Sequence, residues 1–346
     1  MNHQLVSNIL STYFDTTAVQ KTQTIQRLWS GYGEIAKYTV SEQLLIVKHI
    51  DLGHGNKGDV QHPRGWHSDF SHQRKLSSYH NELLFYQQLA PLTTPECRVP
   101  ELYIGQGEPD QLILVMEDLD ALGLDVRFEH AHIADNSGQK SLTLAAMSPI
   151  ADSVIKWLAY FHAQFMQAPA LKSVDISLQW PQGSYWHLAT RPDEYAKMPN
   201  STLKQAAVYL DRQLQNATFK TLIHGDAKIA NFCFGQENAE VAAVDFQYCG
   251  RGVGIVDVVY FIGSAFSSQT LTDFAPLMLD NYFAHIRHAL QDRLEQVQLD
   301  RLEQEWRGLY PVAWADFERF LMGWSPGHHK LHTYSRTQTT LAIPPN

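Results

Sequence analysis

Three oxygen-bearing side chains, and the apolar runs between them, constrain the fold of this 346-residue chain more than any other feature. Asp226 and Asn231 lie five positions apart, and Asp245 follows fourteen positions after Asn231. Two short apolar runs, 232–234 and 241–244, separate the last two. Short runs rich in β-branched and aromatic residues, bounded by turn residues, are typical of strands. We therefore predict a polar loop followed by a hairpin that ends at Asp245, which brings the three side chains together.

The first part of the chain has the pattern of a β-sheet. Alternating and β-branched residues predict three strands between Thr24 and Ile50, with a glycine turn at residues 31–33. The apolar run 112–117 predicts a further, buried strand. Between these strands, residues 51–75 are rich in Gly, His, Asp and Pro, which indicates an irregular insertion. Such an insertion beside an active site is a candidate lid.

The later part of the chain has mainly helical patterns. Apolar residues at helical spacing predict helices over 77–89 and 150–166, and the last ~90 residues also have this pattern. Strands followed by helices are typical of an α+β fold whose two element types are segregated.

Composition limits the classes of function. Hydrophobic residues make up 44% of the chain, which is typical of a globular protein. The net charge of −9 argues against binding to nucleic acid or to an anionic membrane surface. Neither a signal peptide nor a membrane span is indicated, so we expect a soluble, cytoplasmic protein. The three cysteines form no CxxC pair, which argues against a zinc ribbon; they are Cys97, Cys233 and Cys249.

The spacing of Asp226, Asn231 and Asp245 suits phosphoryl transfer from ATP. One carboxylate accepts the proton of the attacking hydroxyl, while an amide and a second carboxylate hold Mg²⁺. Protein kinases carry these groups in His-Arg-Asp and Asp-Phe-Gly motifs. This chain instead has Gly225 in the first motif and Gln247 in the second.

These motifs resemble the aminoglycoside phosphotransferase and choline kinase superfamily, and most closely its ecdysteroid kinase-like branch. The resemblance covers about residues 25–265 and includes His-Gly-Asp, Asp-Phe-Gln and an Asp before an aromatic pair, Asp257-Val-Val-Tyr-Phe. It implies a protein kinase-like two-lobe fold, with a small β-rich nucleotide-binding lobe (1–117). The larger, mostly helical lobe (118–346) would bind the acceptor and carry the catalytic residues.

The same resemblance implies a role for each residue of the loop. Asp226 would be the catalytic base, Asn231 and Asp245 the Mg²⁺ ligands, and Asp257 the residue that anchors the loop backbone. A buried Asp also needs partners for its lone pairs, which suits an anchoring role. His224 would either brace the loop through a hydrogen bond or act on the substrate, and bracing is the favoured interpretation.

Lys228 has two equally supported interpretations. It lies two residues after the proposed base, where a cation would neutralise the γ-phosphate in the transition state. The alternative is a solvated loop lysine without a catalytic function.

Nucleotide-binding residues are expected in the first lobe. Lys48 lies on an apolar strand and needs a partner, and the resemblance implies that it contacts the ATP phosphates while paired with Glu82. The alternative for Lys48 is an edge-strand lysine with an exposed ammonium. Gly31 and Gly33 would cover the phosphates, although glycines are also common in simple hairpin turns. The backbone of Met116, Glu117 and Asp118 would contact the adenine.

Two further patterns are interpreted as structural. Six histidines lack the spacing of a compact metal site, which favours a polar insertion; they are His49, His54, His62, His67, His72 and His80. The aromatic stripe 306–324 would suit cation–π binding of a quaternary ammonium, but its helical spacing favours a packed core; its members are Trp306, Tyr310, Trp314, Phe317 and Trp324.

The function predicted from the sequence is an ATP- and Mg²⁺-dependent kinase that phosphorylates a hydroxyl group of a small molecule. A sterol-like alcohol, an amino alcohol, a sugar and an antibiotic all remain open as acceptors, and the resemblance favours a bulky, partly apolar alcohol. The alternatives are a catalytically inactive, nucleotide-binding pseudokinase or scaffold, and a protein kinase. The retention of Asp226, Asn231 and Asp245 argues against the first, and the absence of the protein-kinase motifs argues against the second.

Overall fold

The computed structural model describes residues 3–28, 31–51, 69–108, 111–128, 144–167, 178, 180–236 and 240–343. Contacts within the chain define two compact units. The first comprises Met1–Leu92 with Val99–Asp125, and the second comprises Thr93–Arg98 with Val126–Asn346. The boundary between the two lobes, which the resemblance implies after residue 117, stays a prediction. Most of the insertion predicted at 51–75, from residue 52 to residue 68, lies outside the described residues.

The first unit is built on an antiparallel five-stranded sheet in the order β1-β2-β3-β5-β4. The predicted strands are confirmed as β1 (Val19–Arg27), β2 (Gly33–Val40), β3 (Gln43–Asp51) and β5 (Gln111–Glu117). Strand β4 (Leu102–Glu108) was not predicted, because its two glycines weaken the strand pattern.

A helix that the sequence analysis also missed, α1 (His3–Tyr13), covers one face of this sheet. Val6 and Leu10 of α1 are buried against the sheet core. That core is formed by side chains from β2, β3, β4 and β5, namely Ala36, Tyr38, Val40, Leu45, Val47, Ile104, Ile113 and Val115. Because strand side chains alternate between faces, Lys48 points away from the face that carries Leu45 and Val47.

The helix predicted at 77–89 is confirmed but begins earlier. It runs as α2 over Asp69–Leu84 and continues as a π-helical turn, Phe85–Leu89. Leu83 of α2 packs closely on β4, since a Cβ added to Gly105 or to Gly107 would lie 2.9 Å from a Leu83 methyl group. The two glycines weaken the strand pattern of β4 in the sequence, and in the structure they allow α2 to approach the sheet.

The second unit is mainly helical. Its helices are α3 (Leu144–Gln164), α4 (Pro192–Lys197), α5 (Thr202–Gln215), α6 (Ile255–Ala265), α7 (Ser268–Leu290), α8 (Gln296–Trp324) and α9 (Thr333–Ala342). The predicted helix 150–166 is therefore confirmed as part of α3, and the predicted α+β class is confirmed by the two units together. Among the residues that the structure describes, no helix is both long and apolar enough to cross a membrane.

Two short antiparallel sheets in this unit carry the polar loop. One pairs β6 (Thr221–Ile223) with β9 (Gly250–Gly252), and the other pairs β7 (Phe232–Phe234) with β8 (Val241–Ala243). The hairpin predicted from the sequence is present, but β8 ends at Ala243, two residues before Asp245. Asp245 therefore lies in the irregular segment after the strand, where its backbone leaves the extended conformation.

Candidate active site

The loop between β6 and β7 makes a turn that requires glycine at position 225. Gly225 has a φ of +78°, a left-handed conformation that side chains disfavour. A Cβ at this position would lie 2.1 Å from the carbonyl oxygen of Tyr248. The departure from the His-Arg-Asp motif thus has a steric cause, because the loop backbone approaches the chain after Asp-Phe-Gln too closely for any side chain.

The carboxylate of Asp257, in the first turn of α6, holds this loop. Its Oδ2 accepts a hydrogen bond from the backbone N–H of His224 at 2.6 Å, and its Oδ1 accepts one from the N–H of Gly225 at 3.0 Å. Asp257 is completely buried. A buried carboxylate needs hydrogen-bond donors for its oxygens, and the two backbone N–H groups supply them. These contacts are the ones expected of a loop anchor.

His162 of α3 and Tyr282 of α7 complete the anchor, and the sequence analysis missed both. His162 Nε2 lies 3.1 Å from Asp257 Oδ2, and His162 Nδ1 lies 2.8 Å from the Tyr282 hydroxyl. Because Oδ2 of Asp257 accepts the backbone N–H of His224 and accepts here as well, Nε2 of His162 carries the proton in this pair. The available signal was a histidine inside the apolar run of α3, which requires a buried polar partner.

His224 uses both of its ring nitrogens within the protein. Its Nδ1 accepts the backbone N–H of Asp226 at 3.3 Å, so its Nε2 carries the proton donated to the carbonyl oxygen of Val244 at 3.0 Å. Its ring lies 4.5 Å from the ring of Phe246, centroid to centroid. These contacts support bracing over direct action on a substrate.

Asp226, Asn231 and Lys228 are in contact with one another. The Asn231 side-chain amide donates to the Asp226 backbone carbonyl at 2.8 Å and to Asp226 Oδ2 at 3.2 Å. Lys228 Nζ lies 3.3 Å from the same Oδ2. Asp226, and to a smaller extent Asp245, raises the pKa of Lys228 above its usual value against the opposing effect of burial. Lys228 is thus paired with Asp226 although its side chain is 38% exposed, and both interpretations of this lysine stay predictions.

The Asp245 backbone has a φ of +69°, in the left-handed region that non-glycine residues rarely adopt. The preceding residue is tied to the loop, since the Val244 N–H donates to the Asn231 carbonyl at 2.9 Å. Because the Asn231 amide nitrogen is turned toward Asp226, its oxygen stays available as a ligand.

An amide oxygen and one carboxylate suit Mg²⁺, which usually takes few protein ligands and completes its shell with phosphates and water. Over the described ranges of the chain, no group of three or more His, Cys, Asp or Glu side chains forms an all-protein metal cage.

A cavity of about 270 Å³ adjoins Asp226. Its lining is largely aromatic and comes from several elements: Tyr185, Asp226, Lys228, Tyr248, Tyr260, Phe317, Leu321, Trp324, His328 and Lys330. The hydroxyls of Tyr185 and Tyr260 lie 3.1 Å apart, and burial together with Asp226 raises the pKa of Tyr185. Apart from Asp226 and Lys228, none of these residues was predicted to line the site, because they lie far apart in the chain; Phe317 and Trp324 were considered only as part of the aromatic stripe.

The aromatic stripe on α8 has two parts. Trp306, Trp314 and Tyr310 are buried, in agreement with the interpretation as a packed core. Phe317 and Trp324, by contrast, line the cavity beside Asp226. The core interpretation is therefore incomplete at this end of the helix, because a buried ring can also form a cavity wall.

In the first unit, Lys48 and Glu82 form a buried ion pair. Lys48 Nζ lies 2.6 Å from Glu82 Oε2, and the two side chains are 4% and 2% exposed. The predicted pairing is thus present, and the alternative of an exposed edge-strand lysine is wrong because β3 lies in the middle of the sheet. The Tyr79 ring lies 5.9 Å from the Lys48 ammonium.

The other residues expected to bind nucleotide have structural contacts of their own. A Cβ on Gly33 would lie 1.9 Å from the carbonyl oxygen of His49, whereas one on Gly31 would meet nothing within 4 Å. Asp118 forms a salt bridge with Lys37 at 3.1 Å, and its Oδ1 accepts the N–H of Asp120 at 3.1 Å. Met116 and Glu117 end strand β5. Binding to a nucleotide stays a prediction for all of them.

Of the six histidines, His49 and His80 have described side chains. His49 Nε2 lies 2.6 Å from the Gln111 side-chain amide, and His80 Nδ1 lies 3.0 Å from the Leu76 carbonyl. His54, His62 and His67 and the side chain of His72 lie outside the described residues.

The chain is similar to known small-molecule kinases. The model of the ecdysteroid kinase-like family matches residues 161–295, a range that contains the loop from His224 to Asp257. A search of curated proteins finds no match.

Two solved structures share the fold at low sequence identity. One is a protein of Ralstonia eutropha JMP134 whose name assigns it to the aminoglycoside phosphotransferases; it is 12% identical, with 99% of this chain and 95% of that chain covered and a TM-score of 0.50. The other is the amicoumacin kinase hAmiN, solved with AMP-PNP, Ca²⁺ and Ami. It is 13% identical; the match covers 99% of this chain and 92% of that chain, with a TM-score of 0.51. The resemblance predicted from the sequence is confirmed, and the fold is that of kinase-like phosphotransferases.

Proposed function

We propose that the protein is an ATP-dependent small-molecule kinase that transfers the γ-phosphate to a hydroxyl group of an alcohol-type acceptor. The observation that carries the proposal is the position of Asp226. Its carboxylate adjoins a cavity of about 270 Å³, and its loop is anchored by Asp257 and braced by His224. A carboxylate held rigidly beside a cavity is what a general base for a bound alcohol requires.

In the proposed reaction, Asp226 accepts the proton of the acceptor hydroxyl as that oxygen attacks the γ-phosphorus. The new O–P bond forms while the bond from the γ-phosphorus to the bridging oxygen breaks, and ADP leaves with the bond electrons. Asn231 and Asp245 would hold Mg²⁺, which neutralises charge on the phosphates when bound. Lys228 would contribute positive charge beside the transferred group.

The buried pair Lys48–Glu82 supports a nucleotide-binding function for the first unit. A buried ion pair adds little net stability, since desolvation of both charges offsets their attraction. A functional reason for burying it is that Glu82 orients the Lys48 ammonium toward phosphate oxygens. Under this proposal Gly31, Gly33 and the backbone of Met116–Asp118 contact the phosphates and the adenine. AMP-PNP bound to the amicoumacin kinase is consistent with ATP as donor.

The test is to incubate the protein with Mg²⁺-ATP and a panel of alcohols and to measure ADP formation above the rate without acceptor. We expect transfer to at least one alcohol, and we expect Asp226→Asn to lower kcat by about 10²- to 10⁴-fold. ATP affinity should change little, because the substitution keeps the shape of the side chain.

Asp211→Asn, which alters a carboxylate bonded to Gln182 and Gln215, is the matched control and should keep full activity. Retained transfer in Asp226→Asn would contradict the assignment of the base. ATP binding without transfer to any alcohol would favour the alternative, a catalytically inactive nucleotide-binding protein.

A further inference from the structure

Lys330 brings a second cation to the cavity beside Asp226. It lies between α8 and α9, and its ammonium is 4.6 Å from the ring centroid of Tyr260 and 5.7 Å from that of Phe317. The side chain is partly buried and lines the cavity. Lys330 therefore occupies the ring faces that would otherwise attract a cationic ligand.

The charges that line this cavity do not cancel. Asp226 carries one negative charge and is paired with Lys228 at 3.3 Å. Lys330 adds a positive charge, and within the described part of the chain it forms no salt bridge. The cavity wall thus has an excess of one positive charge, on the side where Tyr260 and Phe317 lie.

We propose that Lys330 selects an acceptor with three features: a hydroxyl that reaches Asp226, a flat apolar body that packs on the aromatic wall, and an oxyanion that binds the Lys330 ammonium. Cationic amino alcohols are disfavoured, because they would meet a like charge in a partly desolvated cavity. This inference rests on the proposed function for its chemistry, but it concerns binding and is tested without transfer.

Burial lowers the pKa of Lys330 to about 8. A lysine is charged below its pKa, so the cavity keeps this charge at pH 7 and loses it as the pH rises toward 9. The neighbouring Lys228, Tyr185 and Tyr260 have raised pKa values and keep their protons over this range. The titratable and charged groups that face Lys330 across the cavity are Asp226, Lys228, Tyr185, Tyr248, Tyr260 and His328.

Three probes with the same benzyl alcohol core test the effect of the charge opposite the hydroxyl. They are 4-(hydroxymethyl)benzoate, benzyl alcohol and 4-(aminomethyl)benzyl alcohol, which differ only in the group opposite the hydroxyl. Binding to the wild-type protein is measured by calorimetry at pH 7 without nucleotide. We expect the carboxylate probe to bind about tenfold or more tightly than the ammonium probe, with the neutral probe between them.

Two variants at the same position test whether the charge of Lys330 causes this order. Lys330→Met should weaken binding of the carboxylate probe by about tenfold or more and leave benzyl alcohol within about twofold. Lys330→Arg keeps the charge and should retain most of the affinity. Between pH 7 and pH 9 the wild type should lose affinity for the carboxylate probe, whereas Lys330→Arg should not, since arginine stays protonated.

Lys156→Met is the matched control, because Lys156 makes a similar contact with the Tyr160 ring at 5.8 Å on the exposed side of α3. It should bind all three probes as the wild type does. Cooperative unfolding of Lys330→Met near the wild-type temperature would exclude misfolding as the cause of lost binding.

The proposal is overturned if the ammonium probe binds as tightly as the carboxylate probe. It is also overturned if Lys330→Met keeps the carboxylate affinity, or if the carboxylate probe does not bind up to about 10 mM. ADP formation is measured separately. Selective binding without transfer would contradict the proposed kinase activity and leave the assignment of Lys330 intact.

Discussion

At the scale of single residues, Asp257 of the apolar helix α6 makes the contacts that hold the loop of the candidate site. Its two oxygens accept hydrogen bonds from two successive backbone N–H groups and lie beside His162. A hydrogen bond to a charged group contributes about 1.5–3 kcal/mol, and a buried donor left without an acceptor costs about 1–3 kcal/mol. The loop that carries Asp226 therefore depends on one carboxylate contributed by another element.

We predict that Asp257→Asn destabilises the protein by about 3 kcal/mol or more. An amide has one acceptor oxygen, and its NH₂ group would face a backbone N–H that also needs an acceptor. Urea unfolding measures the change. Asp273→Asn, at an exposed position of α7, is the control and should change the free energy of unfolding by less than about 0.5 kcal/mol. Similar small losses in both variants would refute the anchoring role.

At the scale of elements, the glycines beside β2 serve different purposes. Gly33 pairs with Ile50 at the end of the β2–β3 ladder, and its backbone approaches the His49 carbonyl too closely for a side chain. Gly31 has open space around it and a φ of +73°. Within the Gly-Tyr-Gly pattern, strand pairing therefore requires glycine at position 33, and the left-handed turn favours glycine at position 31.

We predict that Gly33→Ala costs about 3 kcal/mol or more in the free energy of unfolding, since β2 and β3 must separate to admit the methyl group. Gly31→Ala is its matched control and should cost about 1–2 kcal/mol, the strain of a left-handed backbone alone. Urea unfolding gives both values, and amide exchange at His49 and Ile50 reports the local opening. Equal costs for the two substitutions would mean that β3 moves aside without loss.

At the scale of the whole molecule, the question is whether ATP binding is linked to Mg²⁺. A ligand that binds only the folded protein adds about 2.7 kcal/mol of stability at a hundredfold excess over its Kd. For a protein of this size that is a rise of several degrees in Tm. The measurement reports on the intact chain and needs no knowledge of the acceptor.

We predict that Mg²⁺-ATP raises the Tm of the wild-type protein and that EDTA removes most of the rise. In Asp245→Ala, the part of the rise that depends on Mg²⁺ should disappear, since a ligand of the metal is lost. Thermal unfolding with ATP, with and without EDTA, gives both comparisons. The same rise with EDTA would contradict the assignment of Asp245 as a metal ligand, and no rise at all would favour a scaffold that does not bind nucleotide.

The local parts of this protein were predictable from the sequence. The strands between Thr24 and Ile50, the helix at 150–166 and the loop with its hairpin follow from periodicity and turn residues close together in the chain. β4 was missed because Gly105 and Gly107 weaken its strand pattern, and they are present so that Leu83 can pack on it. The end of β8 was placed two residues late because the unusual φ of Asp245 leaves no mark in the sequence.

The sequence by itself determined the α+β class, the succession of a strand-rich part and a helical part, and the spacing of Asp226, Asn231 and Asp245. These depend on short-range periodicity and on residue types within one segment. Only the tertiary structure decided that His162 and Tyr282 support Asp257, and that Lys330 and Tyr185 line the cavity beside Asp226. Those contacts join positions more than 40 residues apart, and packing of the core, which has no local signal, brings them together.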